Sequence, residues 1–137
     1  MKKVYPVIFT QTETTVLVEV PDMGILTEGT DLENAIEMAR DAIGLKGIAT
    51  QDEGGELPEA SRLEDIDASK GTFAEDGKSI LSLVDIDFAV YRRKMDNKTV
   101  RRNVTLPNWL NQEAEAANIN VSKVLQDALM QKLNVSR

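Results

Sequence analysis

Apolar and polar residues follow two rhythms along this chain, a period of two in some stretches and a helical period in others, and their order sets its organisation. Residues 3–10, KVYPVIFT, and 14–20, TTVLVEV, are rich in β-branched and aromatic side chains and predict two strands joined at QTE as a hairpin. In the second, Val16, Val18 and Val20 share a face opposite Leu17 and Glu19, so it is half buried at most. Pro6 lacks a backbone donor, which marks part of the first strand as an edge or as irregular. PDMGILTEG opens with a turn and allows a short third strand around Ile25 to Thr27. Thr30 and Glu33 then have the spacing of a capping box, ahead of Leu32, Ala35, Ile36, Ala39 and Ile43 on one helical face. Gly44 and Gly47 weaken the last turns, so the helix ends near Gly44 or runs to about Asp52; the longer version is preferred.

QDEGGELPEAS is a loop by its Gly, Pro and acid content, with Ser61 and Glu64 spaced to cap one helical turn. After a polar stretch, Ile80, Ser82, Val84, Ile86, Phe88 and Val90 alternate with Leu81, Leu83, Asp85, Asp87 and Ala89, predicting a strand over 79–91 that completes the sheet. The charged stretch RRKMDNK, residues 92–98, predicts a linker. Beyond it Val100, Arg102, Val104 and Leu106 alternate with Arg101, Asn103 and Thr105, a strand with one mostly apolar and one polar face. Pro107 suits the first turn of a helix carrying Trp109, Leu110, Ala114 and Ala117, which should stop near Asn118. A second helix, capped by Asn120 or Ser122, carries Val121, Val124, Leu125, Ala128, Leu129 and Leu133 on its apolar stripe.

The pattern predicts an α+β chain in two parts: a β-β-(β)-α-β domain over 1–91 and a strand-helix-helix module over 99–137. Such a module is near the size, roughly 40 residues, below which a chain buries too little surface alone. Its strand finds a partner most simply in a second copy, pairing antiparallel across a two-fold axis. A two-stranded ribbon with Arg, Asn and Thr outward fits the DNA major groove. The plainer alternative is a dimerisation module with a polar rim.

Charge changes that balance. Residues 92–137 hold nine Lys or Arg against four Asp or Glu, a net +5, while residues 1–91 hold seven against nineteen, a net −12. The chain has neither Cys nor His, which removes thiol and imidazole nucleophiles and the usual zinc ligands, and no catalytic residue, cofactor or metal is expected. Asp85 and Asp87 share a strand face and offer a second reading, a metal-dependent nuclease built on the acidic domain; two such acids are more often simply solvated. No apolar run approaches the roughly 20 residues of a membrane span, and Met1-Lys2-Lys3 is not followed by a signal peptide's apolar region, so a cytoplasmic protein is expected.

Two resemblances sharpen these expectations. R-x-N-x-T-L-P followed by an amphipathic helix, a short turn and N-V-S resembles the ribbon-helix-helix DNA-binding proteins over residues 98–133. It implies that Arg101, Asn103 and Thr105 read bases, and that backbone N–H groups near Val121, Ser122 and Lys123 grip a phosphate. Across nearly the whole chain, YPVIF, VEVPD, TEGTDLENAIEMARDAI and ELPEAS are similar to the HicB antitoxins. Members of that family often carry a longer Pro-Gly-Cys turn after the Pro-Asp pair, where this chain continues Met23-Gly24-Ile25. The resemblance implies an antitoxin that blocks a small basic HicA-type toxin, a ribonuclease acting on messenger RNA, and that binds its own operator as a homodimer, with higher assembly open. Asp22, Glu28, Glu33, Glu37 and Asp41 are the acids expected to face the toxin.

Overall fold

The computed structural model describes residues 1–96 and 98–135, which divide into two compact units, Met1–Met95 and Asp96–Arg137. In the first, β1 (Lys2–Gln11), β2 (Val16–Val20), β3 (Ile25–Gly29) and β4 (Lys78–Asp87) form an antiparallel sheet in the order β3-β2-β1-β4. Phe9 stands opposite Val18 and Tyr5 opposite Val84. The hairpin is therefore the predicted one, and β3 runs two residues further than its sequence signal. Pro6 is opposite Leu83, at a level of β1 below the β2 pairing, which begins at Ile8, so its missing donor breaks no ladder on that side.

One sheet face carries Tyr5, Val7, Phe9, Val16, Val18, Val20, Val84 and Ile86, all buried against Ala35, Ala39 and Ile43 of α1 (Leu32–Asp52). Burial of this apolar face against the helix is the main source of the unit's stability. The cap of α1 differs from the expected box by one residue. Asp31 is the N-cap and accepts from the Asn34 N–H at 2.7 Å, while the Asn34 side chain accepts from the Thr30 N–H at 2.9 Å. Asp31 thus satisfies an N–H of the first turn as a cap does, and Asn34 reaches past the N-cap to the N–H of the residue before it. The helix does run to Asp52, through both glycines.

The end of β4 departs from the expected strand. The strand stops at Asp87, and Phe88–Met95 forms α2, so the stretch that looked like a charged linker begins inside a helix. Asp87 accepts from the N–H groups of Ala89 at 3.0 Å and Val90 at 3.3 Å, capping that helix, and Phe88 and Tyr91 turn their rings onto α1. Two aromatic anchors three residues apart lie on one helical face but on opposite strand faces, and burial of both selects the helix.

In the second unit α3 (Asn108–Ala116) and α4 (Val121–Leu133) follow the predicted order. Pro107 is the N-cap of α3 rather than its first helical residue. Asn118, at φ 56°, ends the first helix, with the Ile119 N–H returning to the Ala114 carbonyl at 3.0 Å, and Asn120 caps the second. Residues 98–107 carry no strand in the single chain. A strand is defined by its ladder, and the partner expected for this one is a second copy.

Candidate functional site

Three of the acids expected to face a partner come together. Glu33, Glu37 and Asp41 lie four residues apart on the solvent side of α1, because Ala35, Ala39 and Ile43 bind the opposite side to the sheet. Glu37 and Asp41 line an open groove of about 520 Å³ with Met38, Arg40, Tyr91 and Lys94. The Tyr91 hydroxyl donates to Asp41 Oδ1 at 3.1 Å, and burial together with that carboxylate pushes its pKa up to about 12. Tyr91 therefore stays a neutral donor on the groove wall.

The other two acids stand elsewhere. Glu28 is exposed on β3 beside Leu26, on the sheet face away from α1. Asp22, in the short 3-10 turn Pro21–Met23, accepts from the Ser61 N–H at 2.8 Å and the Ser61 hydroxyl at 2.5 Å. It ties the ELPEAS loop to the sheet, and the Tyr5 hydroxyl, donating to the Pro58 carbonyl at 2.8 Å, ties it again. Ser61 thus serves Asp22 rather than capping a turn with Glu64, which pairs with Arg62.

Asp85 and Asp87, the pair behind the nuclease reading, are held by cations of their own unit. Arg40 donates through Nε to the Asp85 carbonyl at 2.9 Å and through Nη2 to its carboxylate at 3.1 Å, and Lys2 approaches the other carboxylate oxygen to 3.3 Å. These hydrogen bonds, that of Arg40 above all, hold the Asp85 carboxyl below the usual carboxylate range. Asp87 caps α2 and lies 3.6 Å from the terminal amine of Met1. Both carboxylates have structural work: Asp85 ties β4 to Arg40 of α1, and Asp87 caps α2. Among the described residues no cluster of three or more acids is placed to hold a metal ion.

The C-terminal unit presents Arg101, Asn103 and Thr105 to solvent, and Val121, Ser122 and Lys123 open the first turn of α4. The Lys123 N–H donates to the Asn120 side chain at 3.1 Å, so the donors this turn leaves for an anion are those of Val121 and Ser122. Lys123 Nζ lies 3.2 Å from Asp127. The apolar stripe is exposed too: Trp109 at 62%, Val124 at 55%, Leu129 at 51% and Leu133 at 68%, and neither helix has a buried residue.

The boundary at Met95 also revises the charge split. Arg92, Arg93 and Lys94 belong to α2, and Arg92 donates to Asp52 at 2.9 Å and to Gln51 at 3.0 Å. Residues 1–95 then hold ten basic against nineteen acidic residues, a net −9, and residues 96–137 six against four, a net +2.

Residues 5–133 match the family described as the HicB_like antitoxin of bacterial toxin-antitoxin systems. The chain belongs to this family. The HicB-like fold also aligns with a chain of a toxin-antitoxin complex from Streptococcus pneumoniae, at a TM-score of 0.60 and 24% identity over 96% of this chain and 99% of that one. The Burkholderia pseudomallei antitoxin HicB aligns at 0.51 and 22% identity over 96% of each chain. A chain of the HicA3 and HicB3 toxin-antitoxin complex aligns at 0.50 and 26% identity over 62% of this chain and 99% of that one. No protein of curated function matches the sequence. Among the described residues of this HicB-like chain, no helix is long and apolar enough to cross a membrane.

Sequence reasoning missed Arg40 and Tyr91. The signal for Tyr91 was present: Asp87 followed by Phe88-x-x-Tyr91 is an N-cap ahead of two aromatic residues at helical spacing. Arg40 had none, because its partner lies 45 residues away on another element.

Proposed function

We propose that this HicB-like protein is an antitoxin that binds and neutralises a small basic toxin of HicA type, a ribonuclease acting on messenger RNA, through its first unit. The observation that carries this reading is the row Glu33, Glu37 and Asp41, open to solvent on a unit of net charge −9 within a chain of this family. A nucleic-acid-binding enzyme carries a cationic surface, and complementary charge speeds its encounter with such a face. Asp22 acts from behind by holding the ELPEAS loop, and Glu28 belongs to a different face.

The second part of the proposal assigns operator binding, and with it autoregulation, to residues 99–137. Two copies pair their arms antiparallel through Val100, Val104 and Leu106, and the exposed stripes of α3 and α4 cover one another. Arg101, Asn103 and Thr105 of both copies then face one major groove, with the first-turn N–H groups of Val121 and Ser122 on flanking phosphates. At +2 the unit supplies little general attraction for DNA, so recognition depends on where Arg101 and its neighbours stand. Both targets place this work in the cytoplasm.

The test reads the two activities separately in the full chain. The triple variant Glu33→Lys, Glu37→Lys, Asp41→Lys weakens inhibition of toxin-catalysed RNA cleavage tenfold or more and leaves operator affinity intact. Undiminished inhibition would move the toxin contact off this face.

A further inference from the structure

We propose that β4 is a self-association edge, joining two copies of this chain through a continuous antiparallel sheet with Ser82 on the two-fold axis. Within the first unit β4 is an outer strand, paired with β1 along its ten residues on one side and with no strand on the other among the described residues. Exposed edges are normally short, charged or interrupted by Pro, because an open row of N–H and C=O groups recruits other chains. The opposite edge, β3, is five residues long and carries Glu28. Residues 79–84 of β4 read Ser-Ile-Leu-Ser-Leu-Val, with no charge and no Pro, and Ile80 and Leu83 are 53% and 50% exposed on its two faces. An uncharged edge of this kind is no match for a strongly cationic partner.

The strand is complementary to itself. A two-fold axis normal to the sheet pairs antiparallel strands so that residues opposite each other share a face. With Ser82 on the axis, Leu81 meets Leu83 of the second copy and Ile80 stands opposite Val84; beyond them Ser79 stands opposite Asp85, whose outer carbonyl Arg40 already holds, so the ladder is the stretch 80–84. No carboxylate faces a carboxylate, and exposed Leu83 gains Leu81 as an apolar neighbour, while Ile80 stands opposite Val84, which is only 2% exposed within its own unit. Moving the axis to Leu83 sets Leu81 against Asp85, and moving it to Leu81 sets Leu83 against Ser79. One register is thus favoured over its neighbours.

The test is sedimentation equilibrium of the full chain, wild type and Leu83→Lys, with cross-linking as a second readout. The variant brings two ammonium groups close to the axis at a side chain already half in solvent, and it halves the mass. The ratio of two is expected whether wild type is a dimer joined by β4 alone or a tetramer joined also through the C-terminal arms, so it does not depend on the operator reading. Because the chain has no cysteine, Ser82→Cys introduces a single thiol that oxidises to a cross-linked pair, its Cα atoms within the roughly 4.4–6.8 Å a disulfide spans, whereas Lys78→Cys does not. An unchanged mass for Leu83→Lys, or equal cross-linking at both positions, overturns the proposal. Loss of toxin binding without any change in mass overturns it as well, assigning the edge to the toxin.

Discussion

The ring of Tyr91 rests on the backbone of Gly44: a Cβ at that glycine would stand 2.8 Å from three of the ring's atoms. One turn along, a Cβ at Gly47 would stand 2.3 Å from Phe88 Cε1 and 3.1 Å from Leu57 Cδ2. The two residues that weaken α1 as a sequence are the two that let α2 approach it. Alanine in an exposed helix would gain about 1 kcal/mol over glycine. Here overpacking costs about 1–3 kcal/mol and outweighs that gain. Gly47→Ala, with the closer contact, should lower the urea midpoint more than Gly44→Ala; an increase at either position would mean that α2 yields easily.

The Tyr91 hydroxyl makes this joint sensitive to alkali. Its folded pKa of about 12 lies above the ordinary value of 10.0, so the neutral form favours folding and the stability it adds is complete below pH 10. That stability is lost as pH rises from 10 through about 12. Tyr91→Phe keeps the ring on Gly44 and removes the titration. Unfolding midpoints should therefore fall less steeply for the variant than for wild type across that interval. Asp85 works in the opposite sense, because its lowered pKa adds stability above the ordinary carboxylate value that disappears as acid protonates the folded form. Asp85→Asn should flatten the acid limb, and an unchanged limb would mean that Arg40 and Lys2 do not favour the charged form.

Asp22 tests whether the ELPEAS loop is held by one carboxylate. Two hydrogen bonds from Ser61 to a charged acceptor are worth roughly 1.5–3 kcal/mol each where water is excluded, and less at this half-buried turn. Asp22→Ala should speed hydrogen exchange at the Ser61 amide by at least tenfold while α1 amides keep their protection. Equal loss of protection throughout the unit would make the turn part of the core.

The parts of this fold that the sequence predicts well are those whose partners are close in the chain. The hairpin, the caps at Asn118 and Asn120, and the stripe Ala35, Ala39, Ile43 follow from local period and turn chemistry. Alternation failed at Phe88 because Phe88 and Val90 continue the β4 pattern, and only the glycines of α1, some forty residues earlier, reveal where those rings go. The site divides in the same way. Glu33, Glu37 and Asp41 share a face by helical spacing alone, whereas the tie of Asp22 to Ser61 crosses 39 residues and that of Asp85 to Arg40 crosses 45. Long-range polar pairs leave no periodic trace.

Where the first unit ends has a direct consequence for truncation. A fragment stopping at Tyr91 keeps both aromatic anchors but loses Arg92, which reaches Gln51 and Asp52 at the C-terminal end of α1, and it leaves α2 a single turn. Short helices without tertiary ties are marginal. Residues 1–95 should unfold in one cooperative transition at a higher temperature than residues 1–91, and should retain toxin inhibition. Equal melting of the two fragments would place the boundary before α2.

The arm makes a prediction that separates assembly from reading. In the proposed ribbon Arg101 lies on the outer face and Val104 on the face that packs against the helices, so the two substitutions should fail differently. Arg101→Ala removes a bidentate donor to a base and costs about 1–3 kcal/mol of operator affinity, with the mass of the free protein unchanged. Val104→Asp places a carboxylate in the apolar layer between copies, so it should lower the mass and the operator affinity together. Titrations of both variants against operator DNA, alongside sedimentation of the free proteins, distinguish the outcomes. If Arg101→Ala binds as wild type while Val104→Asp dissociates, the arm dimerises but some other surface reads the DNA. If Val104→Asp changes neither quantity, residues 99–106 do not form the ribbon at all.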